Sequence, residues 1–503
     1  MASRELLDEA EWKRLAIRDP RGFFALATRD TGDVPVRMFL SDVLLREAEP
    51  TLYRQIVNAT RFHGARAVII TPDVHFGYGV PVGCVILTER EAGAIAMGPV
   101  GFDIGCGMMS ARSSVDSGRA SPDRKLAFHE EVMKRVDLGA GGTSKRFGEV
   151  STKEMQDIIR GGAEHYVAAH AGRAGETVDR SSAERHRIPV QDTWDVPWGG
   201  PGRPERGKAQ IGSLGGGNHF IELQRKEEDG TLFVQVHTGS RGFGHGLATN
   251  YFAMAKDENP ALGSDIDLGY FTPESPHYEA YQNAVAAGGN FAIVNRLVIF
   301  EAVAEAFRKV FKEDLELVYE ISHNLVQAEE HPEFGSVWVH RKGATRAFPA
   351  GHPELLGTRW EHTGHPVLIP GSNRDYSYVL RPKAGAVHSA YSVNHGAGRR
   401  MSRGEATRVL SQEKVNEQYA RDGILVNLDG EVPLDEAGAC YKSARDVVAV
   451  VVDAGLAEIE HTLWPLGSLK GSDEGLRKKK NDRRSIEKDR DRDRRAGRSR
   501  KGQ

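Results

Sequence analysis

The sequence has few cysteines and no long apolar run, and each absence excludes a class of protein. Among 503 residues there are only three cysteines, Cys84, Cys106 and Cys440. They lie far apart, so they do not predict a disulfide framework. No stretch of about eighteen apolar residues occurs, so no membrane span is predicted. The charged N-terminus lacks the apolar core of a signal peptide. We therefore expect a cytoplasmic protein.

Charge is divided unequally along the chain. The formal net charge is −3, but residues 477–503 hold fourteen Lys or Arg against five Asp or Glu, a net +9 that leaves −12 for the rest. A segment with so few apolar side chains cannot bury enough surface to fold. We expect residues 472–503 to form a basic, disordered tail. The alternative is an arm that binds phosphates without sequence preference.

The order of the predicted elements indicates the fold class. Strands and helices are interspersed without a regular βαβ rhythm, which predicts a mixed α+β fold rather than a doubly wound sheet. Residues 1–33 are predicted to be an accessory segment with a helix over 5–16. The clearest predicted strands are 65–74, 83–89, 219–225 and 231–239, and the clearest predicted helices are 44–60, 123–137, 152–170, 281–312 and 405–420.

Glycine is abundant, and it clusters beside residues that can bind metal ions. There are 56 glycines. The motif "GFDIGCG" supplies Asp103 and Cys106, and three other motifs supply His219, His237 and His323. Carboxylate, thiolate and imidazole all bind metals, the first favouring harder ions and the second softer ones. Each residue alone is more often structural, and their spacing identifies no particular metal.

One histidine stands at the start of a glycine-rich stretch. His395 is followed by Gly396, Ala397, Gly398, Arg399 and Arg403. Backbone N–H groups in such a run can approach a phosphate closely, and arginine side chains suit phosphates. A helix beginning at Gly396 would place both arginines on the face of His395. The alternative is a capping box, "SRGE", which begins the helix at Ser402.

Seven motifs together resemble those of the RtcB family of RNA ligases. In chain order they are "PDVHFGYGVPVG", "GFDIGCG", "GSLGGGNHFIE", "HTGSRGFGH", "HRKGATRA", "HGAGRRMSR" and "PLGSLKG". The resemblance implies one large mixed-sheet catalytic domain of the RtcB type over residues 34–471. It also implies an enzyme that uses GTP and two Mn²⁺ ions, and that joins an RNA 3′-phosphate or 2′,3′-cyclic phosphate to a 5′-hydroxyl. For some members it implies archease as an activating partner.

The resemblance also assigns roles to individual residues. His395 matches the nucleophile that forms a histidine–GMP intermediate, from which GMP passes to RNA as RNA(3′)pp(5′)G. The two-metal ligand set is matched by Asp103, Cys106, His219, His237 and His323, with Cys106 bridging. Nucleotide-binding positions, among which Glu222 reads the guanine edge, are Asn218, Glu222, Ser372, Ser377, Gly396, Ala397, Gly398, Tyr441 and Lys470. Phosphate- or RNA-binding positions are Arg241, Lys342, Arg399 and Arg403.

The sequence departs from the family pattern at a few positions. Gly105 stands where asparagine is common, Cys84 stands where glycine is usual, and Arg374, Asp375 and Tyr376 replace small residues. The last three put the nucleotide preference and the openness of the pocket in question. A metal-dependent RNA-end phosphoesterase without ligation is the alternative function, and a non-catalytic RNA-binding protein is the third. The retained ligand and nucleophile positions favour a ligase of RNA repair or tRNA splicing.

Overall fold

The computed structural model of the chain describes residues 6–169, 188–259 and 266–471. The basic tail predicted over 472–503 lies outside the described residues. No helix within the described ranges is both long and apolar enough to cross a membrane.

The helices of the described ranges vary widely in length, and serine side chains begin several of them. Ser41, Ser121, Ser402, Ser411 and Ser443 each accept a hydrogen bond from the N–H three residues later, which satisfies an otherwise unpaired donor. In chain order the helices are α1 Trp12–Leu15, α2 Asp42–Glu47, α3 Leu52–Ala59, α4 Pro122–Arg135, α5 Thr152–Ala169, α6 Arg241–Glu258, α7 Tyr278–Phe311, α8 Arg403–Val409, α9 Gln412–Arg421 and α10 Ala444–Asp453.

The strands form two large sheets and two small ones. In chain order they are β1 Ala16–Arg18, β2 Phe24–Leu26, β3 Val36–Met38, β4 Ala65–His75, β5 Val82–Glu89, β6 Ile95–Ala96, β7 Gly107–Asp116, β8 Phe220–Lys226, β9 Thr231–Thr238, β10 Tyr270–Phe271, β11 Glu316–Ser322, β12 Asn324–His331, β13 Gly335–Lys342, β14 Ala344–Arg346, β15 Val367–Ile369, β16 Ser377–Pro382, β17 Ser392–Asn394, β18 Leu425–Val426 and β19 Ala457–Lys470. A seven-stranded sheet runs β1-β2-β3-β4-β5-β13-β12. An eight-stranded sheet runs β11-β7-β9-β8-β19-β16-β15, with β18 beside β19.

Burial explains the position of the long helix α7. Its middle section is buried on every side and mostly apolar, as expected of a helix in the interior. It contacts α4, α5 and α6 on one side and strands β7, β9, β11 and β12 on the other. The apolar side chains of this helix therefore form much of the core beneath the eight-stranded sheet.

The predicted α+β fold with mixed sheets is confirmed. The pairs β3–β4 and β18–β19 are parallel, and the other strand pairs of the described chain are antiparallel. The four predicted strands correspond to β4, β5, β8 and β9.

Some helix predictions were wrong in their extent. The helix predicted over 44–60 is divided into α2 and α3, because Pro50 in the connection cannot continue a helix. The helix predicted over 405–420 is divided where Ser411 caps α9. The helix predicted over 5–16 is only α1 within the described residues, because residues 6–11 form bends and turns in which the N–H groups of Leu7 and Asp8 donate to the Asp30 carboxylate. Hydrogen bonding to a distant side chain there outweighs helix propensity.

Candidate active site

The predicted metal ligands lie at one end of the eight-stranded sheet. Asp103 and Cys106 are in the turn that enters β7, and His219 immediately precedes β8. His237 is the next-to-last residue of β9, and His323 lies between β11 and β12. Because β11, β7, β9 and β8 are consecutive neighbours in the sheet, the end of β9 and the starts of β7 and β8 are paired. This pairing brings the five side chains together.

Their donor atoms form two groups that share Cys106. Cys106 Sγ lies 3.5 Å from His219 Nε2 and 3.3 Å from His237 Nε2. His219 Nε2 is also 3.1 Å from Asp103 Oδ2, and His237 Nε2 is 3.3 Å from His323 Nε2. Such separations suit donors that surround a cation at about 2.0–2.3 Å. One group is Asp103, Cys106 and His219, and the other is Cys106, His237 and His323.

Backbone carbonyls orient two of these imidazoles. His219 Nδ1 is 3.0 Å from Leu214 O, and His237 Nδ1 is 3.1 Å from Asn218 O. When Nδ1–H donates to a carbonyl, the Nε2 lone pair is left for a cation. Burial, with the neighbouring imidazoles, lowers the pKa of His237 and His323 well below the ordinary value. Both rings are therefore neutral, as ligation requires.

The thiol at the centre needs a cation to ionise. Burial and the Asp103 carboxylate raise the pKa of Cys106 well above its ordinary value. Burial opposes ionisation of Asp103 as well, but its hydrogen bond and charge interaction with His219 outweigh burial and lower the pKa to about 2. A coordinating cation deprotonates a thiol, so the mixed donor set fits metal ions whose charge balances a carboxylate and a thiolate.

His395 lies beside this centre and is held by a buried carboxylate. Its ring is edge-on to that of His323, with 4.9 Å between centroids. His395 Nδ1 is 2.6 Å from Oδ2 of Asp73, a residue of β4 with no exposed surface. Burial opposes ionisation of Asp73, but His395 and the Thr71 hydroxyl lower its pKa below the ordinary value. Asp73 is thus an acceptor for Nδ1–H, and His395 Nε2 is the ring nitrogen that this hydrogen bond does not use.

The residues after His395 wrap around the same carboxylate. The N–H groups of His395 and Gly396 lie 3.2 and 3.3 Å from Asp73 Oδ2. Gly398 has a φ of 77°, and a Cβ there would lie 2.0 Å from Asp73 O. Only glycine fits at this position. Sequence reasoning missed Asp73, although it lies inside the quoted motif "PDVHFGYGVPVG".

The structure decides between the two helix starts. Helix α8 begins at Arg403 after the Ser402 cap, so the start at Gly396, and with it the shared helix face, was wrong. Arg399 and Arg403 nevertheless meet, because their guanidinium groups lie 3.4 and 2.5 Å from Glu436 Oε1. Their proximity results from a shared carboxylate and not from helical spacing.

A cavity of about 460 Å³ joins most of the predicted cation ligands, the predicted nucleophile and most predicted nucleotide positions. The predicted residues that line it are Asp103, Cys106, Asn218, Glu222, His237, His323, Lys342, Ser372, His395, Gly396, Ala397, Gly398, Arg399, Arg403, Tyr441 and Lys470. Asn324, His75 and Tyr78 also line it and were not assigned from the sequence. A cavity of this size suits a small-molecule ligand.

Three predicted residues lie behind the lining. His219 Nε2 contacts two lining residues, Cys106 Sγ at 3.5 Å and Asp103 Oδ2 at 3.1 Å. Ser377 Oγ accepts from Gly371 N–H and Gln224 Nε2, both at 3.1 Å. Arg241 is buried and donates to Ser213 Oγ and to two backbone carbonyls of the 139–140 turn, each at 3.2 Å. Lys342 does line the cavity, but its Nζ donates to the Tyr78 and Val80 carbonyls at 2.8 and 3.1 Å.

Glu436 connects four of the pocket residues and was not identified from the sequence. Besides the two arginines, its carboxylate accepts from Tyr441 OH at 2.5 Å and Lys470 Nζ at 3.2 Å. Burial and Glu436 raise the pKa of Tyr441 well above its ordinary value, so the hydroxyl keeps its proton. No motif marks Glu436, since the residues that it joins are brought together only by the fold.

Arg374, Asp375 and Tyr376, the three bulky residues that depart from the family pattern, do not line the cavity. Arg374 Nε donates to Asp422 at 2.6 Å, and Asp375 accepts from Ala444 N–H at 2.9 Å. Tyr376 packs edge-on against Trp464, with 4.9 Å between ring centroids. Their side chains therefore have partners away from the cavity.

Comparisons with known proteins show the family of this chain. Residues 55–471 match the family model described as tRNA-splicing ligase RtcB. The chain belongs to the RtcB family. The chain is 34% identical to the tRNA-splicing ligase RtcB of Thermococcus kodakarensis over 466 residues, 87% of this chain and 95% of the relative. The corresponding protein of Pyrobaculum aerophilum is 35% identical over 468 residues, with the same shares covered.

A bacterial relative gives the same result. The RNA-splicing ligase RtcB of Mycobacterium tuberculosis is 34% identical over 446 residues, 83% of this chain and all of the relative. The predicted family and the assignment of the chain as an RNA ligase of the RtcB type are confirmed.

Proposed function

We propose that this chain uses GTP and two Mn²⁺ ions to join an RNA 3′-phosphate or 2′,3′-cyclic phosphate to a 5′-hydroxyl, in RNA repair or tRNA splicing. The observation that carries the proposal is the position of His395, which contacts His323 of the cation centre while its Nδ1 is held by the buried Asp73. A nucleophile beside two adjoining cation sites suits phosphoryl transfer, in which positioning and charge neutralisation supply most of the catalysis.

In the first step His395 Nε2 attacks the α-phosphorus of GTP. A bond forms between nitrogen and phosphorus, the bond to the bridging oxygen breaks, and pyrophosphate leaves. Asp73 keeps the proton of the imidazole on Nδ1 and stabilises the positive charge that develops on the ring. Bound cations would neutralise charge on the phosphate oxygens, and the ligands for them are Asp103, Cys106, His219, His237 and His323.

The remaining steps transfer GMP and then release it. A terminal RNA 3′-phosphate takes GMP from His395, giving RNA(3′)pp(5′)G. The 5′-hydroxyl of the second strand then attacks the 3′-phosphorus, and GMP leaves. A 2′,3′-cyclic end must first be opened by water to a 3′-phosphate. Arg399 and Arg403 line the cavity between the nucleophile and Glu436, where they can contact phosphate oxygens.

One part of the cavity lining suits guanine. Glu222, Tyr441 and Lys470 all line the cavity, and the last two share the Glu436 carboxylate. An ionised Glu222 would accept from the N1 and N2 donors of guanine, and Lys470 would donate to its acceptors. Mn²⁺ is compatible with a donor set of one carboxylate, one thiolate and three imidazoles. The three cysteines are free and buried, which supports a reducing, cytoplasmic setting.

The proposal is tested by joining two RNA strands. Purified full-length protein is incubated with one strand ending in a 2′,3′-cyclic phosphate, a second starting with a 5′-hydroxyl, GTP and Mn²⁺, with and without archease. Formation of a joined strand that requires GTP and is lost in His395→Ala is the expected result. Opening of the cyclic end without any joining would favour the phosphoesterase. RNA binding without either reaction would favour the non-catalytic alternative.

A further inference from the structure

Two adjacent polar residues lie in the middle of the apolar helix α7. Asn295 and Arg296 have no exposed surface, and they follow Phe291 to Val294, which are all buried. Buried polar groups are costly unless they are hydrogen-bonded. Their partners therefore indicate what the helix holds in place.

The hydrogen bonds of Arg296 end next to three cation ligands. Its Nη1 donates to Gly105 O at 2.7 Å and Thr238 O at 3.1 Å, and its Nη2 donates to Ser322 Oγ at 2.8 Å. These acceptors directly precede Cys106, follow His237 and precede His323 along the chain. The buried Glu320 carboxylate pairs with the same guanidinium, since Arg296 Nε donates to it at 2.6 Å.

Asn295 holds the segments that carry the other two ligands. Its Oδ1 accepts from Gly212 N–H at 2.6 Å, and its Nδ2 lies 3.3 Å from Ser213 O and 3.1 Å from Gly239 O. The residue after Ser213, Leu214, supplies the carbonyl that faces His219 Nδ1. The residue after Gly239, Ser240, donates its N–H to Asp103 Oδ1 at 3.1 Å.

The turn of Asp103 and Cys106 also packs directly on α7. Gly105 has a φ of 73°, which suits glycine or asparagine. A Cβ at Gly105 would lie 2.8 Å from Ala292 Cβ and 3.0 Å from Gly289 Cα of the helix. Glycine in place of the asparagine that is common in the family thus permits this close approach.

From these contacts we infer that Asn295 and Arg296 are positioning residues for the cation centre. The two residues form one support on α7 that is shared by all five ligand-bearing segments. Cations bind most tightly when groups behind the ligands hold them in place. Loss of this support weakens cation binding without removing a ligand. The inference rests on the proposed cation site, but not on the nucleotide or RNA chemistry.

The helix supplies a matched control. Asn290 is also unexposed, and its side chain makes three hydrogen bonds, to Ile159 O and to the backbone N–H and O of Ile188. None of those partners adjoins a cation ligand. For Arg296, the control is Arg341, a residue of β13 whose buried guanidinium pairs with Glu329.

The test is a Mn²⁺ titration of the full-length protein after removal of bound metal, followed by electron paramagnetic resonance of the free ion. Asn295→Ala should raise the dissociation constant of at least one of two Mn²⁺ ions by about 10- to 100-fold. Arg296→Lys should do so for both, because Gly105 O precedes the shared Cys106. Asn290→Ala and Arg341→Lys should lower the thermal midpoint without changing either constant.

Three outcomes would contradict the positioning role or the cation site. Folded Asn295→Ala and Arg296→Lys proteins that bind Mn²⁺ as the native protein does would overturn the inference. Equal loss of affinity in the control variants would reduce the two residues to general structural roles and overturn it as well. If Arg296→Lys does not fold, the Mn²⁺ dissociation constants of Asn295→Ala and Asn290→Ala, two variants without a change of charge, decide whether the inference holds. A native protein that binds no Mn²⁺ would overturn the cation site itself, and the inference with it.

Discussion

The cation centre and the nucleophile are held in different ways. Four neighbouring strands, several backbone carbonyls and two residues of α7 hold the five cation ligands. One carboxylate, that of Asp73 on the seven-stranded sheet, accepts from the ring and the N–H of His395 and from the N–H of Gly396. Support for the cations is therefore distributed, whereas support for the nucleophile is concentrated in one side chain. Substitutions in the two regions should separate cation binding from guanylylation.

The largest effect is expected from Cys106→Ala, which removes the donor that both cation groups share. Loss of a cation removes several kcal/mol of charge stabilisation, so guanylylation should fall by at least about 1000-fold. Bound Mn²⁺ should fall below two ions per chain, measured by elemental analysis after gel filtration. Cys84→Ala is the control, since Cys84 is also a buried free cysteine but belongs to neither donor group. Retention of two tightly bound ions would contradict the bridging role.

The second largest effect is expected from Asp73→Asn, which removes the charge of the one side chain that holds His395. An amide would no longer hold the proton on Nδ1 through a charged acceptor, so the histidine–GMP adduct should form about 100- to 10,000-fold more slowly. The dissociation constants of both Mn²⁺ ions should stay unchanged. A parallel loss of cation binding would show that the two regions are not supported separately.

A smaller effect is expected from pH on the affinity for guanosine, through the proposed contact of guanine with Glu222. Burial raises the pKa of Glu222 to about 7, and only the ionised form can accept from the N1–H and N2–H donors of guanine with both oxygens. Affinity for guanosine, which does not titrate in this range, should rise about tenfold from pH 6 to pH 8 as the carboxyl loses its proton. Calorimetric titrations measure this change. Glu222→Gln should bind with no such pH dependence; a dependence that persists would assign it to another group.

The smallest effect is expected from Arg374→Ala. The Arg374 side chain forms a partly exposed ion pair with Asp422 and does not line the cavity. Surface ion pairs contribute about 0–1 kcal/mol, so affinity for GTP should change by less than about threefold in a binding titration. A change of tenfold or more would show that this departure from the family reaches the nucleotide after all.

Sequence reasoning selected residues that the fold brings together, but not the groups that support them. Ligand types and glycine-rich motifs marked the five proposed cation ligands and His395, but only the pairing of β7, β8, β9 and β11 brings the ligands together. Asp73 lay inside a quoted motif without an assigned role, because its partner His395 is more than 300 residues away in the chain. Glu436, Asn295 and Arg296 had no local signal. Their importance depends on contacts that the tertiary fold creates.

The bounds of some helices could not be predicted from the sequence, because contacts with distant residues competed with local helix preference. Residues 6–11, which were predicted to be helical, form bends and turns because the N–H groups of Leu7 and Asp8 donate to the Asp30 carboxylate. The Ser402 cap was one of two starts that the sequence left open, and the structure has α8 begin there. The local capping signal at Ser402 was thus correct, whereas contacts with distant residues decided the extent of the N-terminal helix.

The central claim is that His395, held by Asp73 beside the proposed cation ligands, receives GMP from GTP. The most direct test is a labelling experiment with GTP carrying a radioactive α-phosphate. Native protein, His395→Ala and Asp73→Asn are incubated with the nucleotide and Mn²⁺, with and without archease, and separated on a denaturing gel. An acid-labile, alkali-stable label on the native protein, absent from His395→Ala and strongly reduced in Asp73→Asn, is the expected result. An equally labelled His395→Ala protein, or no label on the native protein with Mn²⁺ bound, would contradict it.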